Sequence, residues 1–130
     1  MNGSEREKVI ELRGIRTQFG KTVVHENLDL DVYRGEVLGV VGGSGTGKSV
    51  LLRTICGLLR PAEGSVTVLG TDMLSADEAT RSAIEARWGV MFQDGALFSS
   101  LTVRENVEVP LRAIQGLDPK IRSALADLKI

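Results

Sequence analysis

Hydrophobic and polar positions along the chain fall into short, distinct patterns. Val9-Ile10-Glu11-Leu12-Arg13-Gly14-Ile15-Arg16 mixes apolar with charged positions, and Asn27-Leu28-Asp29-Leu30-Asp31-Val32 alternates, which predicts a strand with one face buried. Gly20-Lys21 between them is a turn signal. This region therefore predicts antiparallel sheet, preceded by a charged, mobile tail over residues 1–8. Glu36-Val37-Leu38-Gly39-Val40-Val41 is different: short, apolar and valine-rich, it predicts a strand buried on both faces. A stripe of Leu51, Leu52, Ile55, Cys56 and Leu59 predicts a helix from Lys48 that weakens at Gly57 and ends at Arg60-Pro61.

The second half continues in the same manner. Ser65–Leu69 alternates as a strand, and Gly70-Thr71-Asp72 turns. Ser75-x-x-Glu78 has the form of a capping box and opens a polar helix to about Arg87. Trp88-Gly89-Val90-Met91-Phe92 predicts a second buried strand. Gly95–Leu101 is an apolar loop. Thr102 with Glu105 predicts another capping box, on a helix that Pro110 bends or ends. Asp118-Pro119 starts a last helix, along which Leu117, Ile121, Leu125 and Leu128 keep helical spacing. Buried strands alternating with helices predict an α/β fold.

Composition narrows the function. The chain has 130 residues, and its 16 Lys+Arg against 17 Asp+Glu leave a net charge of −1, so there is no electrostatic case for a nucleic-acid partner. No apolar run approaches a membrane span, and the charged N-terminus does not read as a signal peptide. A single cysteine, Cys56, on the apolar stripe reads as a small core residue, and the composition fits a cytoplasmic protein. The single histidine, His25, has no Cys, His or Asp at ligand spacing and reads as a surface residue.

Chemistry concentrates between the valine-rich strand and the first helix. Gly42-Gly43-Ser44-Gly45-Thr46-Gly47-Lys48-Ser49 fits G-x-x-x-x-G-K-[ST], the phosphate-binding P-loop, in the strand–loop–helix setting that it requires. Glycines let the backbone approach a ligand, successive N–H groups form a concave anion site, and the helix N-terminus adds unpaired donors. Lys48 is placed to reach the β- and γ-phosphates and Ser49 to put its hydroxyl on Mg²⁺; Val50 completes the binding stretch. Two further residues stay open on this evidence. Phe19, before the Gly20-Lys21 turn, is either a hairpin aromatic or a platform for adenine. Gln93, at the carboxyl end of the second buried strand, is either a loop residue or a ligand that binds Mg²⁺ and orients a water. The loop alone does not name a reaction. The absence of an N-K-x-D motif argues against a GTPase, and the long segment before the loop argues against a small-molecule kinase.

In order, these motifs resemble the ATP-binding subunits of ABC transporters. Phe19 is similar to the adenine-stacking A-loop aromatic, Gly42–Ser49 to Walker A, and Gly57–Val66 to the stretch after the P-loop helix. Phe92-Gln93 is similar to the Q-loop, and Leu101–Val107 to its continuation into the helical subdomain. The resemblance implies a P-loop NTPase core with a parallel central sheet plus an N-terminal antiparallel β subdomain. Residues 9–97 would be the first part of the core and 98–130 the start of the helical subdomain. It implies ATP and Mg²⁺ as cofactors, Lys48 and Gln93 as catalytic residues, and Ser49 and Gln93 as metal ligands. It also implies a second ATPase subunit in a homodimer. A narrower resemblance, of Gln93–Leu101 to Mla-type ATPases of phospholipid traffic in bacterial envelopes, implies an Mla-type membrane permease and a small STAS-domain regulator. It also implies a cytoplasmic place at the inner membrane, held through the permease. No LSGGQ-like signature, no apolar run ending in Asp-Glu and no switch histidine follow, so the chain reads as the N-terminal part of a longer subunit, truncated within the helical subdomain. Two outcomes are expected from this. Alone the chain would bind nucleotide without turnover, and it would be marginally stable, since a central strand belongs between those present.

Overall fold

The computed structural model describes residues 5–114 and 116–129. The first half of the expected tail, residues 1–4, lies outside the described residues. Glu7, in its second half, is tied down: the Glu7 carbonyl accepts from the Arg34 backbone N–H at 2.8 Å, and its carboxylate pairs with the Arg34 guanidinium. The chain divides into two compact units, Met1–Val90 and Met91–Ile130.

The first unit is built on a four-stranded antiparallel sheet. Strands β1 (Lys8–Phe19) and β2 (Thr22–Tyr33) form one hairpin around Gly20-Lys21, as the turn signal predicts. Next come β3 (Glu63–Val68) and β4 (Thr71–Asp72), in the order β2-β1-β3-β4. Here Thr71-Asp72 is more than a turn. Leu69 and Gly70 both have positive φ, 50° and 80°, the pattern of a two-residue hairpin loop whose twist matches the strands. Thr71 then pairs with Val68 and Asp72 with Thr67. Gly64 opens β3 where nothing larger fits: its φ is 101°, and a Cβ there would lie 2.6 Å from the Arg13 carbonyl oxygen.

One face of this sheet carries the core. Leu12, Ile15, Val66 and Val68 are buried together with Met73 and Leu51, and Ile10, Leu28, Leu30, Ile55, Leu69, Leu74, Ile84 and Trp88 pack around them. Burying Leu12 or Ile15 fully contributes about 1.5–3 kcal/mol each.

Helix α1 (Lys48–Ile55) lays Leu51 and Thr54 on that core, while Leu52, expected on the buried stripe, is 55% exposed. It also stops earlier than the stripe suggests. The Leu58 N–H bonds to the Arg53 carbonyl and the Gly57 N–H to that of Thr54, with Gly57 at φ 76°: a Schellman ending that leaves Leu59 outside the helix. Helix α2 (Glu78–Glu85) is capped by Asp77, whose carboxylate accepts from the Thr80 N–H at 2.7 Å, and not by Ser75. Asp77 has an extended backbone beside a free carboxylate, which suits a cap.

Both expected buried strands are corrected. Residues 36–41 and 88–92 are not assigned to any strand, and Val37, Val41 and Met91 are almost fully exposed. Neither run has a hydrogen-bonded neighbour strand among the described residues, and an apolar segment becomes a strand only when a ladder satisfies its backbone. The parallel part of the sheet is therefore not formed among them, while the antiparallel part is.

In the second unit, α3 (Val103–Arg112) starts on the expected capping box: Thr102 Oγ1 accepts from the Glu105 N–H, and Glu105 Oε2 from the Thr102 N–H at 2.7 Å. Pro110 does not end it; the helix runs two residues further. Helix α4 (Pro119–Lys129) begins where Asp118 Oδ1 accepts from the Lys120 N–H at 2.7 Å. Its buried residue is Ala126, and Ile121 and Leu128 of the expected stripe are exposed. Arg104 joins the two helices, bonding to the Asp127 carboxylate and to Ser123 Oγ.

Candidate functional site

The glycine-rich loop leads straight into α1, and the backbone takes the form that its sequence requires. Gly45 and Gly47 sit at φ 78° and 92°. The Thr46 N–H and hydroxyl both donate to the Gly43 carbonyl, at 3.4 and 2.7 Å, closing a turn. Gly47 is the N-cap of α1, and its carbonyl accepts from the Leu51 N–H at 2.9 Å. No side chain caps this helix, and its first turn carries no acid. The free N–H groups and the positive end of the helix are thus left for an anion.

Lys48 folds back over the loop. Its ammonium donates to the carbonyls of Gly42, at 2.5 Å, and Gly43, at 2.7 Å. No carboxylate pairs with it among the described residues. Carbonyls are weaker partners for an ammonium than phosphate oxygens, so the lysine is held but replaceable. Ser49 is exposed at the start of the helix, and Val50 is half-buried. The chemistry of this set (a glycine cradle, an uncapped helix end, a lysine and a free hydroxyl) fits a nucleotide phosphate with its Mg²⁺.

Phe19 ends β1 and is 49% exposed, an aromatic face open to solvent. Gln93 lies in a bend of the second unit and is exposed. Its loop is stitched to α3 by Asn106, which sequence reasoning did not single out. Asn106 Oδ1 accepts from the Phe98 N–H at 2.8 Å, and its amide donates to the carbonyls of Phe98, Leu101 and Thr102. An asparagine followed by apolar residues in a helix carries no signal for this.

His25 is also corrected. It is half-buried, and its Nδ1 lies 2.7 Å from Thr17 Oγ1. No metal-ligating group of three or more His, Cys, Asp or Glu occurs among the described residues. Cys56, expected in the core, is instead the half-buried C-cap of α1 and is not among the core residues; its partial burial still pushes its pKa up, away from a reactive thiolate.

The family model for the ABC transporter matches residues 25–130. The chain belongs to the ABC transporter family. It is 44% identical over 103 residues to the probable ribonucleotide transport ATP-binding protein mkl of Mycobacterium leprae, covering 79% of this chain and 30% of that protein. It is 38% identical over 104 residues to the methionine import ATP-binding protein MetN of Brucella abortus, covering 80% of this chain and 28% of that protein. The chain thus spans less than a third of the length of these relatives. Among solved structures, the ATP-binding cassette MJ0796 bound to ADP and Pi in a dimeric post-hydrolysis state superposes with a TM-score of 0.80 at 28% identity. That match covers 92% of this chain and 54% of the other. The chain's antiparallel sheet and helices are those of part of a P-loop NTPase cassette. No described helix is long and apolar enough to cross a membrane.

Proposed function

We propose that the chain is the nucleotide-binding part of an ABC transporter ATPase. Phe19 stacks adenine, Gly42–Val50 hold the phosphates, Lys48 neutralises the β- and γ-phosphates, and Ser49 serves Mg²⁺; Gln93, in the second unit, is taken as an Mg²⁺ ligand from its resemblance to the Q-loop alone. The observation that carries this reading is the pairing of an uncapped, acid-free α1 N-terminus with a lysine resting on replaceable carbonyls. Mg²⁺, when bound, would balance phosphate charge; this chain's contribution is to bind and orient the nucleotide. Hydrolysis belongs to the whole subunit. Phosphoryl transfer needs groups on both sides of the γ-phosphate, and the residues described here supply one side. Gln93 is proposed as the group that orients the attacking water.

The whole protein is proposed to work in the cytoplasm as a homodimer beneath a membrane permease. The names of the two relatives give different cargoes, ribonucleotide and methionine. The phospholipid reading, with its Mla-type permease and STAS-domain regulator, rests on the Gln93–Leu101 stretch. Titration with fluorescent ADP in the presence of Mg²⁺ tests the site: saturable binding by the wild-type chain that Lys48→Ala abolishes is expected, and undiminished binding by that variant refutes it. For the cargo, the full subunit with its permease in vesicles should couple ATP hydrolysis to phospholipid movement; coupling to methionine or a ribonucleotide instead refutes the lipid reading.

A further inference from the structure

The β1–β2 hairpin carries an irregularity beside the glycine loop. Thr17 and Gln18 are consecutive on β1, yet their partners on β2 are His25 and Val23. The extra residue, Val24, makes a β-bulge, and a bulge re-aims the side chains around it. In a regular strand Val24 and His25 would leave opposite faces of the sheet. Here both reach the loop: a Cβ placed on Gly47 would stand 2.6 Å from Val24 Cγ1 and 2.7 Å from His25 Nε2. The imidazole is also held from behind. Its Nδ1 is committed to Thr17 Oγ1 at 2.7 Å, and Thr17 is 2% exposed. A ring with one nitrogen bonded to a buried hydroxyl has its orientation set, so the other nitrogen is aimed at the junction of loop and helix.

We propose that His25 is a positioning residue for the nucleotide phosphates, acting through Gly47. Thr17 orients the ring, and the ring edge braces Gly47 in its left-handed conformation at φ 92°. That conformation directs the first N–H groups of α1 into the phosphate cradle. A leucine would fill the same space, but it would leave Thr17 Oγ1 without its partner and give the brace no fixed orientation. The bulge thus ties the hairpin that ends in Phe19 to the loop that holds the phosphates. This inference rests on the reading of Gly42–Ser49 as the phosphate site.

The test compares three variants of the chain by fluorescent ADP titration and by thermal melting. H25Q carries an amide that reaches as far as Nε2. H25N keeps a polar group at the position of Nδ1, so it bonds Thr17 without reaching Gly47. H25L keeps the volume alone. H25L and H25N are expected to weaken ADP binding about tenfold, and H25Q, which reaches Gly47 but gives up the bond to Thr17, to weaken it less than either, whatever the order of the three melting midpoints. If H25L loses its cooperative melt, the contrast between H25N and H25Q decides the matter. ADP affinity equal to wild type in H25N, or affinity that follows the melting midpoint across all three variants, overturns the inference alone. A wild-type chain that binds no ADP overturns the nucleotide reading and this inference with it.

Discussion

Lys48→Met is the substitution whose outcome the site geometry defines best. In the free loop the ammonium donates to the Gly42 and Gly43 carbonyls at 2.5 and 2.7 Å, on the exposed side of the loop. Phosphate would replace those carbonyls, and each charge-assisted bond to it is worth about 1.5–3 kcal/mol. Part of that gain offsets the carbonyl bonds given up, and solvent screens the rest. A net loss of about 2–4 kcal/mol is therefore expected, or roughly 30- to 1000-fold in ADP affinity at 25 °C. Folding should barely respond, because the lysine's bonds are exposed and methionine keeps most of its stem; a change under about 1 kcal/mol is expected. Isothermal titration with ADP and Mg²⁺, alongside urea unfolding followed by circular dichroism, measures both quantities. Raising the salt concentration should weaken wild-type binding more than the variant's, since only the wild type carries the ammonium. Affinity within threefold of wild type would refute the argument, and so would a loss of binding matched by an equal loss of stability.

The remaining predictions concern stability and association. Gly64→Ala should cost at least about 2 kcal/mol in urea unfolding, because φ 101° strains a Cβ that also meets the Arg13 carbonyl at 2.6 Å; an unchanged midpoint would contradict this geometry. Thr102→Ala should destabilise α3 by about 1 kcal/mol through loss of its cap, read as faster amide exchange at Glu105. Glu7 and Asp31 are held below their ordinary pKa values, first by hydrogen bonds from Arg34 and from Arg13 respectively. Depressed folded values mean that their contribution is present above the unfolded pKa values and is lost as pH falls through the folded ones. The melting midpoint should therefore drop below about pH 4, and Glu7→Gln with Asp31→Asn should flatten that slope. The exposed valines and methionine of residues 36–41 and 88–92 predict concentration-dependent light scattering from the isolated chain; a monodisperse, cooperatively melting monomer would count against it.

Local signals served best where the cause is itself local. The Gly20-Lys21 turn, the Thr102–Glu105 capping box and the Asp118-Pro119 helix start need only neighbours in the chain, and each lies where its pattern places it. The glycine loop belongs to the same class: its left-handed residues and the lysine beside them are properties of eight consecutive positions. Asp77 in place of Ser75 as the cap of α2 shows the limit of this: Ser75 fits the capping-box spacing, but the helix starts after Asp77, an equally able N-cap residue.

Tertiary structure decided everything that depends on a distant partner. Residues 36–41 and 88–92 are as apolar as strands, but a strand is a paired object, and no neighbour strand pairs with them among the described residues. His25 looks like an isolated surface histidine because its partners lie at Thr17, across the hairpin, and at Gly47, beyond the next turn. A plain two-residue hairpin would oppose Thr17 to Val24; one extra residue in β2 moves His25 into that place and turns it toward the loop. Bulges follow from the pairing of whole strands, so a pattern of hydrophobic and polar positions does not reveal them. The glycine loop was legible from its own residues, and the approach of Val24 and His25 to Gly47 became visible only when the sheet closed.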